Sequence, residues 1–292
     1  MSGQKQLTSP ANVKILKFVL NNKALLLLII SFAVSIIWTK GNTVTLYNLT
    51  SLMRQIPAYA IMAVGYTVVF TTGQFDMSAG SVLSLCTIMY ATWSLEYPLV
   101  IAIIGVIVLG AALELINGVV IRTFNLNAFV LTLATSQIID GIAGQITGGA
   151  NVSGLSDRTK FWGQYLIFGK MPVSFIVAIA IIVAVAIMLD KTLFGRHLVA
   201  TGANLEAAKV SGIKINAIRI TAYAIIGVCA GITSVVLTGR LGMGSPSAGS
   251  TYTLDCIAAV VIGGTSMHGG KAKVGGTLFG MGLIVIINNM LS

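Results

Sequence analysis

Apolar runs recur along almost the whole chain, at roughly 24–38, 57–73, 79–94, 98–121, 127–147, 173–190, 217–239, 253–265 and 275–291. Several approach the about 20 residues that a helix needs to cross a hydrocarbon core. Their Leu, Ile, Val, Ala and Gly texture lacks the strict alternation of a membrane barrel. The pattern predicts an all-α polytopic membrane protein of about nine to ten transmembrane helices, organised as a single membrane domain over residues 1–292. Charged residues make up 9% of the chain and the mean hydropathy is +0.93, whereas a soluble domain carries about 25% charge. In a soluble protein the net charge of +10 would point to nucleic acid. Here cytoplasmic loops account for it, because Lys and Arg collect on that side of a membrane.

The distribution of those charges orients the chain. With the N-terminus inside, 12 of the 18 Lys and Arg residues fall on the cytoplasmic side, among them Lys5, Lys14, Lys17 and Lys23 in the N-terminal segment 1–23. Lys40, Arg54, Arg158, Lys160, Lys170 and Arg240 fall on the other. No small-x-small cleavage site follows Ser31 to Trp38, so the first apolar run is expected to be a retained span rather than a removed leader.

The longest cytoplasmic interruption is the polar stretch 194–213, FGRHLVATGANLEAAKVSGI, within a loop over 195–216. Asn204 is placed to accept from the first free N–H groups of a short helix, and Glu206 stands where the helix dipole favours a carboxylate. Lys209 follows on the same surface. Gly212 supplies the positive φ that ends a helix, which bounds the helix to Leu205–Val210, under two turns. Asn216 is placed to cap the next one. So short a helix is marginal in water and needs a partner to hold it. An ordinary loop with one stray turn is the alternative.

Polar residues inside apolar runs are the other candidates, since a charge at mid-bilayer costs about 2.5–3.5 kcal/mol even on an insertion scale. Glu114 and Asn117 share a face of the fourth run, while Gln137 shares one with Gly141, Gly144 and Gly148 on the fifth, after Asn125 and Asn127. Such a face suits a path for a hydroxyl-rich solute, with Asn117 and Gln137 as its lining; hydrogen bonding between helices is the alternative. Glu114 and Asp140 are weaker candidates. The second and third runs are separated by GQFDMSA, where Asp76 and Ser78 can cap the following helix, and such a break resembles the discontinuous helices of transporters. A tight loop is the alternative. The outer loop 148–171 carries Asp157, Arg158 and Trp162 and offers a docking surface. Gly144 and Gly148, Gly227 and Gly231, and Gly276 and Gly280 each fall four apart, the spacing of close helix contacts in lipid.

No catalytic, metal or cofactor motif is present. The run from Gly263 to Lys271 fails as a phosphate-binding loop, because from Gly264 the four-residue gap ends at Gly269 and the next residue is Gly270, with Ala272 where Ser or Thr would hold magnesium. His197 and His268 are solitary and read as surface residues, and Cys86, Cys229 and Cys256 as packing residues.

The segment EAAKVSGI, then Gly231, the run RLGMGSPSAGSTYTLDCIAAVVIGGTSMHGG and a glycine-rich last helix resemble the permease subunits of sugar ABC importers, the ribose-permease family. The likeness extends from about residue 55 to the end and includes the turn at Asp76 and Ser78. It implies a coupling helix seated in an ATPase groove, with Glu206, Ala207, Ala208 and Gly212 as coupling residues, and a path for a sugar or sugar-like solute to which Asp76, Asn117 and Gln137 are assigned. It further implies separate ABC ATPase subunits that hydrolyse ATP, an extracytoplasmic solute-binding protein, a second permease chain and a bacterial inner-membrane location. Two readings stand beside it: a permease for branched-chain amino acids, and an ion-coupled secondary transporter centred on Asp76. Members of the resembled family usually end with a further apolar span, whereas this chain stops at NNMLS, so the expectation is either a shortened chain or one miscounted segment.

Overall fold

The computed structural model describes residues 23–167, 169 and 171–291. The N-terminal segment with Lys5, Lys14 and Lys17, and Lys170 of the outer loop, lie outside the described residues. All nine apolar runs are helical: α1 (Lys23–Trp38), α2 (Leu46–Thr71), α3 (Ala79–Glu96), α4 (Leu99–Thr123), α5 (Ala128–Thr147), and, after a short α6 (Asp157–Gln164) and the two-stranded ribbon of β1 (Leu166–Ile167) and β2 (Met171–Pro172), α7 (Val173–Lys191). Two helices, α8 (Leu193–Ala203) and α9 (Leu205–Val210), then lead into α10 (Ile215–Leu241), α11 (Tyr252–Ile262) and α12 (Val274–Leu291).

Five of these, α4, α5, α7, α10 and α12, are long and apolar enough to cross a membrane by length and composition. At 11 residues, α11 is about 16 Å long, half of a hydrocarbon core of about 30 Å. The span expected over 253–265 is therefore a half-helix.

Burial ranks the helices. Two-thirds of the apolar stretch of α10 is enclosed (67%), against 22% for α4, α5 and α7; α2 is enclosed without a break from Pro57 to Thr71 and most of α3 is buried, so α10, α2 and α3 form the centre of the bundle while α4, α5 and α7 keep exposed sides. Helix α10 packs on α4, α2 and α3. Gly227 and Gly231 make the α4 contact: a Cβ at Gly231 would stand 2.6 Å from Ile107 Cα. Gly276 and Gly280 likewise bring α12 against Gly263 and Ala259 of α11. Both pairs are the close contacts their spacing predicted. The third pair differs, since a methyl group at Gly144 or Gly148 meets no atom within 4 Å.

The missing half of α11 is replaced by irregular chain. Gly242 ends α10 in the left-handed conformation, and residues 244–251 with the start of α11 run back along α3, exchanging bonds between the backbone of one and the side chains of the other. Ser245 N–H donates to Thr87 Oγ1 (3.2 Å), Gly249 N–H to Ser84 Oγ (2.8 Å), and Gly80 N–H to Thr253 Oγ1 (3.1 Å). Irregular backbone at membrane depth persists only when protein encloses it, and here Ser and Thr hydroxyls supply the bonds. The outer loop is structured too: Val152 bridges Gly244, and α6 lays Gly163 against Gly239 of α10.

Candidate functional site

The stretch 192–216 builds a projecting unit. Thr192 caps α8 by accepting from Gly195 N–H (3.1 Å), and Leu198 and Thr201 of α8 are buried. The sequence alone places this part in the loop over 195–216, whereas the structure makes it helix α8. One legible signal was the Thr192 cap three residues before Gly195. Asn204 then caps α9, its Oδ1 accepting from Ala207 N–H at 3.0 Å, and α9 spans Leu205–Val210 as expected. Gly212 has φ of 78°. Ala208 is the inward anchor, 3% exposed, while Glu206, Ala207 and Lys209 face outward and Val210 is 88% exposed. Asn216 does not cap α10: Lys214 holds that position without a side-chain bond, and Asn216 Oδ1 instead accepts from the Arg122 guanidinium, with Nε at 2.9 Å. Arg122, Glu206, Lys209, Ile213, Lys214 and Asn216 line an open cleft of about 540 Å³ beside α9.

The glycine-rich run that fails as a nucleotide loop has a mechanical place. Gly270 N–H donates to Thr71 O at the end of α2 (3.0 Å), and Gly202 of α8 lies so close that a Cβ there would stand 3.0 Å from Gly269 Cα. Only backbone fits this seam, so α8, the end of α2 and the α11–α12 connection meet without side chains between them.

Within the bundle the polar candidates separate. Asp76, Ser78, Glu114 and Asn117 are sealed, at 0%, 0%, 0% and 2% exposure, and bond to one another. Gln137 is exposed, as are Asp140, Gly141, Gln145 and Gly148 on the side of α5 turned away from the bundle. A further polar cluster, missed in the sequence, joins three helices. Asp255 Oδ2 accepts from Tyr59 Oη (3.2 Å) and Asn288 Nδ2 (3.0 Å), with Tyr59 stacked on Tyr252 at 4.1 Å. A carboxylate four residues into an apolar helix was the available signal. No group of three His, Cys, Asp or Glu residues gathers among the described residues. The three cysteines are free and buried, in keeping with packing roles.

Residues 48–292 match one family model over their whole length, a match that includes α9, the 72–78 break and the glycine-rich run. The chain belongs to the branched-chain amino acid transport system / permease component family. Among curated proteins, the permease is 34% identical to the ribose import permease protein RbsC of Haemophilus influenzae, over 97% of this chain and 88% of that one. It is 31% identical to the galactose/methyl galactoside import permease protein MglC of Salmonella typhimurium (87% and 81%), and 30% to the autoinducer 2 import system permease protein LsrC of Yersinia enterocolitica (94% and 77%). No solved structure matches. The permease is thus a multi-pass inner-membrane transport subunit of an ABC importer, not an enzyme; ATP is handled by its ATPase partner, and an extracytoplasmic binding protein supplies the solute.

Proposed function

We propose that the permease, a single membrane domain, forms one side of the path for a sugar or sugar-like solute, and that a second permease chain, identical or related, forms the other. The observation that carries this reading is the outward face of α5. Gln137 stands midway along that helix, and a methyl group added at Gly141, Gly144 or Gly148 near it would meet no other element of this chain within 4 Å. A polar face at mid-bilayer costs too much to leave in lipid, so it meets water or protein. Asp255, half-buried and held by Tyr59 and Asn288, offers a second acceptor for solute hydroxyls. Asp76 and Asn117, being sealed, support the path from behind. The relatives' cargoes, ribose, galactosides and autoinducer 2, favour a hydroxylated solute; the name of the family favours a branched-chain amino acid.

In the same reading α9 is the coupling helix. Glu206, Ala207, Ala208 and Gly212 shape it, and exposed Val210 enters a groove of the ATPase. The outer loop with α6 receives the binding protein. The test uses a cysteine-free permease assembled with its ATPase and binding protein. Gln137→Cys is expected to react with a water-soluble thiol reagent and to be protected by the transported sugar, and Ser211→Cys to cross-link to the ATPase in an ATP-dependent way. Labelling of Gln137→Cys by lipid-soluble reagents alone would remove the path assignment. A Ser211→Cys that stays free in the assembled complex would remove the coupling assignment.

A further inference from the structure

Of the chain's eight Asp and Glu residues, Asp76 and Glu114 are the two that are fully buried, in the break before α3 and inside α4. Their hydrogen-bond donors do not suffice. Ser78 N–H donates to Asp76 Oδ1 (2.7 Å). Ser78 Oγ lies 2.6 Å from Asp76 Oδ1 and 3.1 Å from Glu114 Oε1, yet a hydroxyl has one proton to give. Asn117 Nδ2 spends its two N–H groups on Ser78 Oγ (2.9 Å) and Glu114 Oε2 (3.2 Å). Tyr223 Oη donates elsewhere, to Phe75 O (2.8 Å). Asp76 Oδ2 is buried with no partner at all. The one ion pair among the described residues, Lys160 with Asp157, lies in the outer loop, so no Lys or Arg pairs with either carboxyl. The Ser78 hydroxyl stands between the two side chains, within hydrogen-bonding distance of one oxygen of each.

Two carboxylates that share one hydroxyl inside a low-dielectric bundle cannot both keep their charge without a cation. We propose that Asp76 and Glu114 hold one proton between them, in a chain of hydrogen bonds through Ser78 Oγ that fastens the 72–78 break to α4. The ends of the chain are not equivalent. Asp76 sits just before the first turn of α3, whose dipole favours a negative charge. Glu114 lies mid-helix with no such support, so the proton resides on Glu114, which donates to Ser78 Oγ while the Ser78 hydroxyl donates to Asp76 Oδ1. The proton leaves the Ser78 hydroxyl one acceptor to serve instead of two, and leaves one negative charge at a helix N-terminus.

Infrared spectroscopy of the permease in nanodiscs tests this directly, because its other six acidic side chains are exposed or half-buried. The expected spectrum has a protonated-carboxyl C=O band at neutral pH that moves on labelling the glutamates with 13C. In Glu114→Gln the band is lost, and the thermal midpoint stays near wild type because the amide donates to Ser78 Oγ in the proton's place. In Asp76→Asn it persists at a shifted position, and the double variant has none. Absence of the band in the wild type, or its survival in Glu114→Gln, overturns the proposal whether or not the other variants fold. So does a band that emerges only after sodium is removed, which would make a bound metal cation the bridge.

Discussion

Gly227 and Gly231 touch α4 where even a methyl group lacks room, while Gly144 and Gly148 of α5, at the same spacing, face nothing in this chain. The spacing was legible because it depends on one helix; the neighbour was not, because it is supplied by another. Overpacking costs about 1–3 kcal/mol, so Gly227→Val is expected to lower the thermal midpoint of the isolated permease clearly, and Gly144→Ala to leave it in place. Reaction of Cys86, Cys229 and Cys256 with a thiol dye during heating gives the readout, since all three are buried until the bundle opens. Equal effects of the two substitutions would show that the α4–α10 contact is looser than its geometry.

At the scale of the element, α9 is a helix of six residues kept by its ends. Removing a cap costs about 1 kcal/mol. Asn204→Ala should therefore reduce ATP-driven uptake in proteoliposomes several-fold while moving the permease's melting midpoint little, and Asn204→Asp should retain uptake. A full-rate Asn204→Ala transporter would mean that the ATPase, rather than the cap, holds the helix. The irregular 244–251 segment depends on the opposite device, bonds from a distant helix. Thr87→Val removes the acceptor of Ser245 N–H, and a buried unmet group costs about 1–3 kcal/mol. The same dye assay should report a lower midpoint for this near-isosteric change. Caps were legible in the sequence because donor and acceptor lie three residues apart; the α3 hydroxyls were not, since Ser84 and Gly249 are separated by 165 residues.

Across the whole molecule, the seam of Gly202, Thr71, Gly269 and Gly270 joins the projecting unit to the end of α2 and to the α11–α12 connection. If α9 has the coupling role proposed for it, its displacement is expected to reach both broken elements through these backbone contacts. Gly202→Val should leave the complex assembled with its ATPase but abolish stimulation of ATP hydrolysis by solute-loaded binding protein, measured in nanodiscs. Normal stimulation would place the transmission elsewhere.

Membrane insertion, the helical character of all nine apolar runs and the bounds of α9 were determined by the sequence itself. Hydropathy, capping and positive-φ glycine are properties of contiguous residues, and they act before any tertiary contact exists. The tertiary structure decided that α11 is a half-helix, that Asn216 binds Arg122 rather than capping α10, and that Asp76 and Asn117 are sealed while Gln137 faces out. Each of these depends on what occupies the space beside a residue. In a bundle whose apolar surface is nearly continuous, that neighbour comes from far along the chain, as Ser78 and Glu114 do across 36 residues, and no local pattern records it.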